Sequence, residues 1–194
     1  MTTPTIKTAT ASDTDSVIAA LVLAFGADPA IRWLYPDPQQ YLLHFPGFLK
    51  AFGGNAFAHE SAHFVEGYVG AALWLPPEVS LDEGMLVPLL QRTVAESVQQ
   101  DVFAVLEQMG RYHPGEPHWY LTVLGADPPH QGQGHGSALL KHGLIPCDRD
   151  HMCAYLETAT PRNIPLYERH GFELMGTIQV GTSPPIFPML RKPR

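Results

Sequence analysis

The chain has 194 residues, 45% of them apolar, with 19 acidic against 12 basic side chains and a formal net charge of -7. That length supplies the core of one domain, and an acidic surplus with no basic stripe excludes the usual nucleic-acid binder. The longest apolar runs, such as "VIAALVLAF", are too short to span a bilayer and "MTTPTIKTAT" has no charged-then-apolar leader pattern, so the expectation is a cytoplasmic protein without nucleic-acid or membrane partners.

From the N-terminus, residues 6 to 10 read as a short strand. Ser12 is placed to cap the next helix, with Asp15 three residues on and Val17, Ile18, Leu21, Val22 and Phe25 at helical spacing. Gly26 and Pro29 end it. A second amphipathic segment runs from Tyr41 to Phe52. Two β-like runs follow, 56 to 65 and 68 to 75, joined by a turn at Glu66-Gly67. Ser80 and Glu83 open a long helical region reaching Tyr112, bent near Pro88. Residues 118 to 126 are the strongest strand, dense in aromatic and β-branched types. A glycine loop and a helix from about Gly134 to near Pro146 come next. A strand at 153 to 158, a short helix at 163 to 170 and two closing strands complete a single domain, residues 1 to 194. Cys147 and Cys153 read as reduced thiols. Hairpins mixed with one β–loop–α–β crossover predict a mixed sheet flanked by helices.

The loop, "HQGQGHGSALL" from His130 to Leu140, carries the functional signal. Gly132, Gly134 and Gly136 clear a ridge of side chains where a strand turns into a helix. Backbone amides there face outward at the positive end of a helix dipole, an anion site that phosphate commonly fills. A P-loop is excluded, because no Lys-Ser or Lys-Thr stands at the required spacing. The dinucleotide fingerprint fails at its last position, Ser137, although Glu157 on the next strand would suit its acidic partner. A glycine turn without a ligand is the plain alternative.

One pattern is met: Q/R-x-x-G-x-G/A, by Gln131, Gly134 and Gly136. It resembles the acetyl-CoA pyrophosphate loop of the GNAT superfamily of N-acetyltransferases. "LETATPRNIPLYERHGFE", residues 156 to 173, resembles that family's second signature, a strand followed by Asn-x-x-x-Tyr and ending in Gly-Phe. "AFGADPAIRWLYPD", "EPHWYLTVLGADPPHQGQGHGSA" and the closing "MLRKP" are similar to a bacterial branch that includes puromycin N-acetyltransferase. The likeness covers nearly the whole chain, most strongly from His113 to Phe172. The fold it implies is α+β, a twisted, mostly antiparallel mixed sheet of six to seven strands flanked by helices.

The same resemblance implies an acetyl-CoA cosubstrate held without metal. The pyrophosphate would lie on the amides of Gly132, Gln133, Gly134, His135, Gly136 and Ser137, with Gln131 leading the motif. The pantetheine arm would pair with the backbone of Leu124, Gly125 and Ala126, where the strand bulges, and Gly125 is the sensible place for that bulge. Asn163 matches the asparagine that contacts the arm. Tyr167 matches the tyrosine beside the CoA sulfur, where a phenol of pKa near 10 stays protonated and donates to the leaving thiolate. No motif marks the general base: Glu157, Asp28, His113, His118 and a water relay all stand open. The acceptor would be a primary amine of a small molecule, with the oligomeric state open. A module that binds CoA without catalysis is the rival class. Phe25, Trp33, Tyr35, Trp74 and Trp119 either line an aromatic pocket or fill the core.

"HESAH", His59 to His63, matches the zinc-protease motif H-E-x-x-H letter for letter. Its surroundings read as strand rather than helix. Histidines four residues apart on a strand lie about 13 Å apart and cannot share one zinc ion. A zinc hydrolase is therefore the remote alternative.

Overall fold

The computed structural model describes residues 4–194. Strands β1 (Ile6–Thr8), β2 (Ala62–Val65), β3 (Gly70–Leu75), β4 (His118–Ala126), β5 (Cys153–Thr158), β6 (Glu173–Leu174) and β7 (Phe187–Arg191) form one sheet in the order β1-β2-β3-β4-β5-β7-β6. Every neighbouring pair is antiparallel except β4 and β5, which run parallel. That is the mixed, mostly antiparallel sheet expected. The crossover that makes one pair parallel contains α7 (His135–Gly143) and α8 (Ile145–Arg149).

Strand periodicity sends neighbouring residues to opposite faces, and each face has its own core. Leu73 and Tyr155 join one cluster with Val17 and Leu21 of α1 (Thr14–Ala24) and Phe45 and Leu49 of α3 (Pro38–Gly53). Trp74 and Leu156 join the other, with Leu139 and Leu140 of α7 and Tyr167 of α9 (Ile164–Arg169). Both α2 (Pro29–Leu34) and α3 begin with Asp-Pro. The carboxylate of Asp28 accepts from the amides of Ala30 and Ile31 at 3.0 and 3.1 Å, and that of Asp37 from Gln39 and Gln40, both at 2.9 Å. Proline at the first helical position gives up only an N–H that lacks a partner there.

Several sequence expectations shift. Thr10, not Ser12, caps the single 3-10 turn Ala11–Asp13 that leads into α1: the Thr10 N–H donates to Asp13 Oδ2 at 2.8 Å and its hydroxyl to the same oxygen at 2.6 Å. Residues 56 to 61 are not strand, because the one-turn helix α4 (Asn55–Ala58) runs into a turn before β2 begins at Ala62. The long helical region is two helices, α5 (Glu83–Thr93) capped by Asp82 and α6 (Glu96–Tyr112). The break falls at Val94–Ala95, whose extended backbone no helix accommodates, while Pro88 rides inside α5. Both cysteines are free and buried. No described helix is long and apolar enough to cross a membrane.

Candidate active site

Two parallel strands that separate make the site. β4 and β5 pair from His118 opposite Cys153 to Leu121 opposite Leu156, and no further. On its other edge β4 stays with β3, with Leu73 opposite Val123 and Trp74 opposite Leu121. Thr122 is thus an extra residue, its hydroxyl donating to Leu73 O at 3.1 Å. A bulge bends a strand and increases its twist, which carries Leu124, Gly125 and Ala126 away from β5. The bulge expected at Gly125 therefore sits three residues earlier. Gly125 is glycine for a different reason: a Cβ there would lie 2.7 Å from Ala24 Cβ and 2.9 Å from the Phe25 ring at the end of α1.

Beyond β4, a single turn at Pro128–His130 leads into the glycines. Gly132 and Gly134 adopt φ of +75° and +88°, and a Cβ on either would meet nothing within 4 Å. Backbone conformation as well as open space therefore selects glycine at these two positions. Gly134 is the N-cap of α7 without a side-chain cap, and Ala138 N–H closes the first helical bond on Gly134 O at 3.0 Å. The amides before it are left for an anion. Gln131 Nε2 braces the loop by donating to Ala126 O at 3.0 Å, and Gln133 Nε2 donates to Pro129 O at 3.2 Å. Ser137 Oγ and His170 Nε2 are 2.8 Å apart.

A groove runs from this loop to the separated strands. Leu124 to Ala126, Gln131, Gly132, Gly134 to Ser137, Asn163 and Tyr167 all line it; Gln133 stays outside. Behind it lies an apolar cavity of about 150 Å³. Phe25, Asp28, Leu124, Asn163 and Tyr167 belong to the wall that groove and cavity share. Tyr167 is buried, and that burial, with the Asp28 carboxylate second, pushes its phenol well above its ordinary pKa. The phenol is held protonated. Asp28, capping α2, also has its pKa raised by burial, against the hydrogen bonds from Ile31, Ala30 and Thr160.

Three of the base candidates meet on the far side of the cavity. The Glu157 side chain is 5% exposed, and its Oε2 accepts from Tyr120 OH at 2.7 Å. Its Oε1 is buried with no hydrogen-bond partner, and His113 Nε2 stands 3.6 Å from it. His113 Nδ1 and His118 Nε2 are 3.0 Å apart, and His118 Nδ1 is 2.8 Å from Glu116 O. A carbonyl only accepts, so His118 Nδ1 carries the proton, which makes Nε2 of the neutral ring an acceptor for His113 Nδ1–H. His113 Nε2 is then the ring nitrogen that faces the glutamate. Burial lowers the His118 pKa and favours this neutral form. Both histidines line an outer groove on the side away from the glycine loop.

Of the aromatic candidates, Phe25 and Trp33 line the cavity, Tyr35 and Trp74 are core, and Trp119 packs beside the second cluster. Sequence reasoning missed Tyr120, whose partner depends on the register of β4 against β5. Asp28, a candidate base in the sequence, is also the cap of α2, a role the Asp-Pro pair signals as a helix start. In "HESAH", exposed His59 ends α4, Glu60 has φ +53° and buried His63 lies on β2, so the histidines share no helix face. Among the described residues no group of His, Cys, Asp or Glu is arranged to hold a metal ion.

Residues 93–174, which contain the separated strands, the glycine loop and Tyr167, match the family model described as "Acetyltransferase (GNAT) domain". This part of the chain, less than half of its length, is similar to a GNAT acetyltransferase domain. The GNAT fold extends over the whole chain: a structure from Corynebacterium glutamicum described as "histone acetyltransferase HPA2 and related acetyltransferase" superposes with a TM-score of 0.73 at 28% identity, covering 100% of this chain and 98% of that one. The mycothiol acetyltransferase of Propionibacterium freudenreichii subsp. shermanii is 37% identical over 73 residues, 36% of this chain and 23% of that protein. An uncharacterized N-acetyltransferase of Schizosaccharomyces pombe is 31% identical over 78 residues, 39% of this chain and 32% of that protein. The matched part of the chain spans less than a third of the length of these curated relatives.

Proposed function

We propose that this protein is an N-acetyltransferase that moves the acetyl group of acetyl-CoA directly to a primary amine of a small molecule. The observation that carries the reading is the position of Tyr167, a protonated phenol in the wall between a groove that fits the CoA thioester and a cavity that fits an acceptor. The groove fits the cosubstrate because the start of α7 has open amides and no side-chain cap. The same residues 1 to 194 act as one domain, and the likeness to the puromycin N-acetyltransferase branch supports a small-molecule acceptor. Two free, buried thiols suit the reducing cytoplasm.

Acetyl-CoA supplies an activated thioester, so no metal is required for the transfer. The amides of residues 132 to 137 and the backbone of Leu124 to Ala126 would hold the donor, with Gln131 keeping the loop in shape and Asn163 beside the arm. Glu157 takes a proton from the acceptor ammonium, and His113 and His118 pass it towards the outer groove. The freed amine forms the N–C bond as the C–S bond breaks. Tyr167 donates to the departing thiolate and recovers a proton from the acylated nitrogen, so one ammonium and one thioester become one amide, one thiol and one released proton.

A thiol-release assay with acetyl-CoA across a panel of amines tests the proposal. Release that depends on amine, with the acetylated amine identified by mass, supports it. Tight CoA binding with no release from any amine would instead establish a non-catalytic CoA-binding module.

A further inference from the structure

We infer that the acceptor is a hydrophobic primary amine, best carried on an aromatic body, that bears no carboxylate or phosphate and no second charge. The inference rests on the acetyl-transfer reading above and narrows its substrate.

Asp28 and Glu157 are the only charged side chains among the residues lining the cavity; no Lys, Arg or His lines it. A carboxylate kept from water without a cation is costly, and a core void would not contain two of them. Glu157 shows the deficit directly: Oε2 has Tyr120, whereas Oε1 is buried with no hydrogen-bond partner. His113 Nε2, at 3.6 Å, stands beyond hydrogen-bond distance of it. An ammonium supplies both the missing donor and the missing charge.

The aromatic part of the lining specifies the rest of the molecule. Phe45, Phe48 and Phe52 follow one another along a face of α3, with ring centroids 5.9 and 5.2 Å apart, and Phe25 adds a ring 5.7 Å from Phe45. All four line the cavity. Such a surface takes an aromatic or branched apolar body. It strands any further polar group: a carboxylate beside the amine would meet two carboxylates and no cation, a second ammonium would find both Asp28 oxygens already engaged by Ala30, Ile31 and Thr160, and sugar hydroxyls would outnumber the available partners. Amino acids, polyamines and amino sugars are thereby disfavoured.

The test compares phenethylamine, phenylalanine, spermidine and glucosamine, by calorimetric titration into protein saturated with CoA and by kcat/KM in the thiol-release assay. Phenethylamine should bind, with kcat/KM at least 100-fold above each of the others. Glu157→Gln keeps the shape and should weaken phenethylamine binding at least tenfold in the titration, where turnover plays no part. Phenylalanine, spermidine or glucosamine equalling phenethylamine would overturn the inference while acetyl transfer stood, as would unchanged binding to the Gln variant. Phenethylamine that binds as expected, with no thiol released from any amine, would overturn the acetyl-transfer reading and leave the pocket's preference standing.

Discussion

At Tyr167 the hydroxyl and the ring do separable work. The ring packs against Phe172, centroids 6.1 Å apart, whereas the hydroxyl serves the leaving sulfur in the proposed reaction. Tyr167→Phe should therefore fold normally, bind acetyl-CoA within threefold of the parent and lose roughly 10²–10⁴-fold in turnover, the usual contribution of a general acid. Steady-state kinetics with any competent amine measure this, and near-full turnover would reassign the proton to water. Gly136 probes the donor loop with less distortion than Gly134, because Gly134 needs a positive φ and Gly136 is not among the positive-φ glycines. A Cβ at Gly136 would lie 3.4 Å from Leu166 Cδ2, a contact a small adjustment relieves. Gly136→Val should place methyl groups where the proposal puts the pyrophosphate and weaken acetyl-CoA binding at least tenfold, about 1.4 kcal/mol. Calorimetry reads it directly, and unchanged affinity would remove the pyrophosphate from this loop. His63 belongs to stability instead. It is buried on β2, 3.3 Å from Thr8 Oγ1 and with its ring 4.6 Å from that of His142. Burial first, then His142, lowers its pKa from 6.5 to about 4. Above pH 6.5 the ring is neutral in both folded and unfolded chains and has no effect. As the pH falls from 6.5 towards 4, the unfolded chain takes up a proton the folded one refuses, so stability drops by on the order of 3 kcal/mol. Urea melts at pH 7 and pH 4.5 should show that loss, and His63→Leu should largely remove it.

At the scale of elements, the site depends on how β4 meets its neighbours. The extra residue at Thr122 turns the strand, and the end of α1 closes on Gly125 from the other side. Contact between helix and strand is so close that Gly125→Ala overfills it: its methyl would press on Ala24 and Phe25. The expected cost is about 1–3 kcal/mol, seen as a lower melting temperature. Because Phe25 and Leu124 belong to both groove and cavity, the same variant should also weaken acetyl-CoA binding. A melting temperature unchanged from the parent would mean that α1 yields freely there. The two Asp-Pro starts work similarly, since each fixes where a helix begins. In α2 that places Asp28 beside Tyr167 in the shared wall.

For the whole molecule, the proposed reaction on a thioester held by the loop amides leaves no task for a metal. Acetyl transfer should survive dialysis against a chelator, and elemental analysis should find no stoichiometric zinc. Activity lost on chelation and restored by zinc would revive the reading of "HESAH" as a metal site. Local signals determined much of what could be read from the chain itself. The aromatic and β-branched density of 118 to 126, the alternate glycines of the loop and the spacing from Asn163 to Tyr167 each depend on residues near one another in sequence. They locate β4, the loop and the short helix α9, and the resemblance they carry points to the fold. Tertiary structure alone decided what depends on distant residues meeting. The bulge at Thr122 exists only against β3, and the orphaned oxygen of Glu157 only because Tyr120 and His113 arrive from other elements. The fate of each aromatic, Phe45 facing a cavity and Trp74 filling the core, depends on which neighbours the sheet brings over it. Backbone conformation is set by a few adjacent residues, whereas burial, charge compensation and cavity shape are sums over the whole packed chain.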